Sequence, residues 1–266
     1  MDFAVLNGVA IHYRAELGKK GAPVIAFSNS LGTDFRIWSE VAARLSADFN
    51  LVFYDKRGHG LSDTGNTPYS IEDHAKDLAA LLGHLKITQA VICGLSVGGL
   101  IAQSLYKLRP DLIGGLILCD TAAKIGNDEL WNARIKAVTE NGIASIAGPI
   151  LERWFTPAFR NPGNAAFAIY RNMLVRSPAE GYAATCAALR DGDFTPDAAR
   201  IRVPVLCVVG EADGSTPPPL VEATARLIKG ARFEVIPGAA HLPCIEQPKA
   251  LAKLIREFVN GLGGAQ

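Results

Sequence analysis

Apolar residues along this chain fall into two kinds of run that alternate with each other. Short blocks such as Val24-Ile25-Ala26-Phe27, Leu51-Val52-Phe53-Tyr54, Ala90-Val91-Ile92-Cys93, Leu116-Ile117-Leu118-Cys119 and Val205-Leu206-Cys207-Val208-Val209 carry no polar alternation. They read as strands buried on both faces. Between them lie longer stretches with apolar positions at helical spacing. The clearest begins at Ser70, where Asp73 completes a capping-box pattern and Ile71, Ala75, Leu78, Leu81, Leu82 and Leu85 form one stripe. In order, the pattern predicts strands over 3–7 and 9–16 joined at Asn7-Gly8, a strand at 23–27, a helix at 38–45 and a strand at 50–55. The helix from Ser70, a strand at 90–93, a helix and a strand at 115–120 follow. The chain ends with a strand at 203–209, a helix at 217–229, a strand at 232–236 and a helix at 247–260.

The alternation stops between 122 and 197. That stretch is rich in Ala, Arg and aromatic residues, has helical spacing interrupted at Pro149, Pro157, Pro162 and Pro178, and contains no convincing strand. It reads as a helical cap inserted between two strands, leaving 1–121 and 198–266 as the core. Repeated strand–helix units imply an α/β fold, a mostly parallel sheet with helices on both faces. The Gly-rich tail, Gly261 to Gln266, is expected to fray.

Composition narrows the class. The 266 residues are 49% hydrophobic and 20% charged, with a net charge of +1 and no basic block, so nucleic acid is not an expected partner. No apolar run approaches the ~20 residues that span a bilayer, and no membrane partner is expected. The N-terminus, Met1-Asp2-Phe3-Ala4-Val5, lacks a basic segment followed by an apolar one. Cys93, Cys119, Cys186, Cys207 and Cys244 lack C-x-x-C spacing. They suit buried thiols in a reducing cytoplasm and suggest neither a disulfide framework nor a metal site. Oligomeric state is not readable.

Chemistry concentrates at Gly94-Leu95-Ser96-Val97-Gly98-Gly99, a G-x-S-x-G sequence between a strand run and a helical run. A strained strand–turn–helix junction lifts a serine hydroxyl clear of the backbone at a helix N-terminus, where negative charge is favoured. Serine needs an imidazole to take its proton, and the imidazole needs a carboxylate to fix its tautomer. His241 is the only histidine after position 84 and follows a strand end. Asp213 follows the preceding strand; Glu211 and Asp120 are its rivals, and Asp213 is favoured because it sits deeper in its loop. The order Ser96, Asp213, His241 is that of a hydrolase triad on an α/β sheet. The two backbone N–H groups of an oxyanion hole are assigned to Val97 and to Leu31, in the loop after the strand at 23–27. Arg57-Gly58-His59-Gly60 reads as a structural turn.

These segments, with Asp55 to Ser62 and Gly238-Ala239-Ala240-His241, resemble the α/β-hydrolases over nearly the whole chain. Within them, Ser28-Asn29-Ser30-Leu31-Gly32-Thr33-Asp34 is similar to the 3-oxoadipate enol-lactonases; most other relatives carry His-Gly where Asn29-Ser30 stands. The resemblance implies ring opening of 3-oxoadipate enol-lactone through an acyl-enzyme, in bacterial β-ketoadipate degradation of aromatic compounds, with no cofactor. It also implies a lactone substrate bearing a carboxylate, which an arginine would recognise best. The cap offers Arg134, Arg153, Arg171, Arg176 and Arg190. Arg134, three residues after Trp131, is the first choice, with Trp131 and Trp154 as apolar lining. The alternatives are a general carboxylesterase, a C–C hydrolase or a cofactor-free perhydrolase of the same fold, and a ligand receptor that has kept the fold.

Overall fold

The computed structural model describes residues 2–262. The chain opens with a hairpin, β1 (Asp2–Leu6) and β2 (Val9–Glu16), turning at Asn7-Gly8 with both turn residues at positive φ. Then come β3 (Val24–Ser28), α1 (Ser39–Leu45), β4 (Asn50–Tyr54), α2 (Ile71–His84), β5 (Ala90–Leu95), α3 (Val97–Leu108) and β6 (Ile113–Cys119). Helices α4 (Asp128–Asn141), α5 (Ala147–Trp154), α6 (Ala165–Val175), α7 (Ala179–Asp191) and α8 (Thr195–Ala198) intervene before β7 (Val205–Gly210). The chain closes with α9 (Pro218–Leu227), β8 (Arg232–Ile236), α10 (Pro243–Glu246) and α11 (Pro248–Leu262).

The eight strands form one sheet in the order β1-β2-β4-β3-β5-β6-β7-β8. Only the β1–β2 and β2–β4 pairs are antiparallel. Residues of β4, β5 and β7 are buried throughout, which is why these segments are continuously apolar. The edge strands β1 and β8 alternate or stay half-exposed, with Phe3, Val5 and Val235 facing solvent. From β3 the chain goes to β4 on one side, whereas β5 pairs on the other, so the sheet order reverses between β3 and β5. Loops leaving the carboxyl ends of those strands diverge there and open a crevice.

Several expected boundaries shift. The strands at 90–93 and 115–120 are β5 and β6, which reach Leu95 and begin at Ile113, and a 3₁₀ turn, Phe35–Trp38, precedes α1. The capping box at Ser70 forms as expected, Asp73 N donating to Ser70 Oγ and Ser70 N to Asp73. Pro149 does not interrupt a helix but sits in the first turn of α5, where a missing N–H is harmless. Residues 122–127 are not yet helical, and Ala122 and Ala123 are buried with the sheet. Phe194 N–H donates to Ala123 C=O at 2.8 Å, tying the two ends of the inserted helices together. Of the tail expected to fray, Gly261 and Leu262 are the last two residues of α11, and 263–266 lie outside the described residues.

Candidate active site

Ser96 occupies the turn between β5 and α3 with φ 57° and ψ −118°. A non-glycine residue in that region is strained, and such strain persists only where the surroundings enforce it. The enforcement is steric. A side-chain carbon on Gly94 would strike the Gly98 carbonyl, and one on Gly98 would strike the carbonyl of Ser28 at the end of β3. Both glycines are therefore required for the turn to close against the sheet. Ser96 N–H donates to Cys119 C=O at 3.0 Å and Thr121 Oγ1 donates to Ser96 C=O at 2.6 Å, which fixes the backbone. The hydroxyl is left free, with Ser96 8% exposed on a cavity.

His241, on the loop after β8, lies 2.9 Å from Asp213 through Nδ1 and Oδ2. Asp213, after β7, is buried and held by Thr216 Oγ1 at 2.7 Å and by the N–H groups of Ser215 and Thr216. Burial works to raise its carboxyl, but the facing charge on His241 and the hydrogen bonds from His241, Thr216 and Ser215 outweigh that and hold it below the usual carboxylate range. Asp213 thus stays ionised, and Nδ1 is committed to it as a donor. Nε2 of His241 is then the nitrogen that can accept a proton. Among the described residues Ser96 Oγ has no hydrogen-bond partner, so its approach to His241 is looser than a hydrogen bond. Such contacts commonly tighten when substrate binds.

The rival carboxylates do other things. Glu211 accepts from Gly238 N–H at 3.3 Å on the exposed side of the loop. Asp120, at the end of β6, accepts from Gly210 N–H through Oδ1, and its ligand atoms lie within 4.8 Å of those of Asp213 and His241. Burial and then the Asp213 charge push its carboxyl well above the usual carboxylate range. A cluster of two carboxyls and an imidazole has ligand types for a metal, and here Asp213 Oδ2 is already shared by His241 and Thr216. The arrangement suits proton transfer.

On the other side of Ser96, the loop after β3 is pinned from beneath. Asn29 Nδ2 donates to Tyr54 C=O at 2.9 Å, and Trp38 Nε1 donates to Asn29 Oδ1 at 2.8 Å. That pinning is what an asparagine at this position supplies. Leu31 N–H has no acceptor among the described residues, and Val97 N–H belongs to the open first turn of α3.

Ser30, Leu31, Ser96 and His241 face a cavity of about 310 Å³ whose other wall is Trp131, Arg134, Ile150, Arg153, Trp154 and Tyr182. Arg134 and Arg153 reach this wall, and neither forms an ion pair among the described residues; Arg134 stacks on the Trp131 ring at 4.9 Å. Arg171 and Arg176 lie off the wall, and Arg190 is tied to Asp191 and Asn132. Tyr182 on α7 has no counterpart among the sequence expectations: its buried hydroxyl lacks a hydrogen-bond partner among the described residues. A larger cavity of about 530 Å³, bordered by His12, Asp34, Arg36 and Arg176, contains neither Ser96 nor His241.

Residues 16–254 match the alpha/beta hydrolase family. The chain belongs to that family. As an alpha/beta hydrolase it is 38% identical to 3-oxoadipate enol-lactonase 2 of Acinetobacter baylyi, over 94% of this chain and 92% of that one. It is 37% identical to 3-oxoadipate enol-lactonase 1 of the same organism, over 92% and 91%. The crystal structure of the enol-lactonase from Burkholderia xenovorans LB400 superposes with a TM-score of 0.94 at 37% identity, covering 97% of this chain and 100% of that one. The chain is an enzyme of the hydrolase class, and no helix among its described residues is long and apolar enough to cross a membrane.

Proposed function

We propose that this alpha/beta hydrolase opens the ring of a carboxylate-bearing enol-lactone, 3-oxoadipate enol-lactone or a close analogue, through an acyl-enzyme on Ser96. The observation that carries the substrate reading is the pair of unpaired arginines on the cavity that holds Ser96 and His241. A cavity built only for neutral esters gains nothing from two cations in its wall. The similarity to enol-lactonases supports the same reading.

His241 Nε2 takes the Ser96 proton as Oγ attacks the lactone carbonyl, while Asp213 holds the imidazole and balances its charge. Leu31 and Val97 N–H groups receive the oxyanion. Collapse expels the ring oxygen as an enolate, a better leaving group than an alkoxide, and His241 supplies its proton. The freed enol ketonises, which removes the tethered nucleophile that would otherwise close the ring again. Water, deprotonated by His241, then releases the acid. The helices over 122–197 act as the cap that carries the substrate carboxylate on Arg134, between Trp131 and Trp154. The free cysteines suit a reducing compartment such as the cytoplasm, and the substrate reading would place the reaction in aromatic degradation.

Purified protein assayed on the enol-lactone beside neutral esters of similar size tests the proposal. A marked preference in kcat/KM for the carboxylated lactone is expected. Equal turnover of both classes would make the protein a general esterase, and no turnover of any activated ester would make it a receptor.

A further inference from the structure

Lys56 is the second residue after β4 and is 1% exposed, whereas lysines are almost never fully buried unless paired. Its Nζ donates to the Ser30 carbonyl at 2.6 Å. It forms no ion pair among the described residues, because the nearby carboxylates are engaged elsewhere. Asp55 accepts from His12 Nδ1 and from the N–H groups of Phe35 and Leu61, and Asp34 is paired with Arg36. A buried ammonium with one acceptor is expensive to keep, and a methionine would fill the same volume without that cost.

The single acceptor gives the reason. Ser30 C=O and Leu31 N–H are the two ends of one peptide group. The carbonyl end receives Lys56 Nζ, Thr33 Oγ1 at 2.9 Å and Thr33 N–H at 3.4 Å, whereas the N–H end has no acceptor among the described residues and lines the cavity with Ser96 and His241. Electrons in a peptide are delocalised, so donors on the oxygen draw density from the nitrogen and make its hydrogen more positive.

We propose that Lys56 is a positioning residue that holds and polarises the Ser30–Leu31 peptide, so that Leu31 N–H becomes a stronger donor to the oxyanion formed at Ser96. This rests on the serine-hydrolase reading and is independent of which ester is the substrate. The charge matters more than the bond, since a neutral amine also donates but polarises less. Burial pushes the Lys56 ammonium down to about 7, against the opposing pull of Asp55 and Asp34. The other ionisable groups facing it are His59 in the following turn and His74 on α2. Burial keeps both uncharged, His74 down to about 3 and His59 well below its usual range. Lys56 is therefore the group here that changes charge near neutral pH, and kcat should fall as pH rises through that range.

The experiment compares wild type with Lys56→Met and Lys56→Arg, using a generic activated ester and the enol-lactone, with circular dichroism and melting to check folding. Lys56→Met should lower kcat about tenfold, a fraction of what loss of a whole oxyanion donor causes, leave KM within about threefold, and abolish the decline of kcat above neutral pH. Lys56→Arg, charged at every accessible pH, should restore kcat and keep the profile flat. A folded Lys56→Met protein with unchanged kcat and an unchanged alkaline decline overturns the proposal. Ser96→Ala run in parallel separates the two levels: full activity there would sink the serine reading itself. If neither Lys56 variant folds, the Leu31 amide proton is followed by NMR in His241→Gln protein, where imidazole titration cannot contribute. A downfield shift as pH falls through about 7 supports the proposal, and an amide that does not move overturns it.

Discussion

Replacing Arg134 by Gln should separate carboxylated from neutral substrates. At about 4 Å, with the effective dielectric near 20 found at partly covered sites, an arginine–carboxylate pair is worth about 4 kcal/mol before desolvation. Arg134 is half-buried and already rests on the Trp131 ring, so it is held in place but still reached by water. Solvent screening and the ordering of the substrate chain take back part of the attraction. A net loss of about 2–3 kcal/mol remains, or about 30- to 150-fold in kcat/KM. Arg153 is more exposed and packs beside Gly214, so its loss alone should matter less. The assay measures kcat/KM for the enol-lactone and for a neutral ester of similar size in wild type, Arg134→Gln, Arg153→Gln and the double variant. The informative quantity is the ratio between substrates, because a loss of folding or of triad geometry lowers both values together. If the double variant keeps the wild-type ratio, the carboxylate is not recognised by this wall and the reasoning fails.

Ser96→Ala should remain folded and lose on the order of 10³-fold or more in turnover, read by stopped or continuous ester assay. Asp213→Asn should lower kcat by about 10⁴-fold, since an amide favours the wrong imidazole tautomer. Asp120→Asn should cost less than about tenfold, because Asp120 bonds Gly210 N–H rather than His241 and an amide oxygen can still accept that bond; a larger loss than in Asp213→Asn would move the acid to β6. Acid stability should be limited in part by His74, beside the equally buried His59. The folded pKa of His74 is lowered by burial to about 3 against an ordinary 6.5, so the unfolded chain binds the proton first. Its contribution is complete above about 6.5 and is lost as pH falls toward about 3, by roughly 1.4 kcal/mol per unit at most. Urea titrations across that range should show the decline, and a folded His74→Leu protein should show less of it.

What the chain disclosed beforehand follows from the range of the forces involved. Strands buried on both faces announce themselves locally, so β3 to β7 are legible from apolar runs alone. Ser96 is legible because the strained turn demands small residues at fixed positions around it. Asp213 was separable from Glu211 by depth in the loop, and that depth is what lets Thr216 and Ser215 turn it toward His241. Asp120 was harder to place, since its nearness to Asp213 depends on the pairing of β6 with β7. No local pattern encodes that pairing. The same limit governs the inserted helices, where five arginines are equivalent in sequence. Only packing against the core brings Arg134, Arg153 and Tyr182 to one wall.

Lys56 is the instructive miss. Within Asp55-Lys56-Arg57-Gly58 it reads as one more charge in a polar turn. Its neighbours divide sharply in the fold: Arg57 is spent on Asp77 through Nε and a second guanidinium nitrogen, Asp55 on three donors, and Lys56 alone points under the loop that carries Leu31. A usable signal was present, because a cation two residues past a fully buried strand begins its side chain close to the sheet layer. It must either reach a partner there or lie enclosed at high cost. The partner it reaches is the Ser30 carbonyl, behind the peptide whose N–H end lines the cavity, so under the proposal above the residues that set the rate extend to the turn after β4, beyond the three side chains that the motif order identifies.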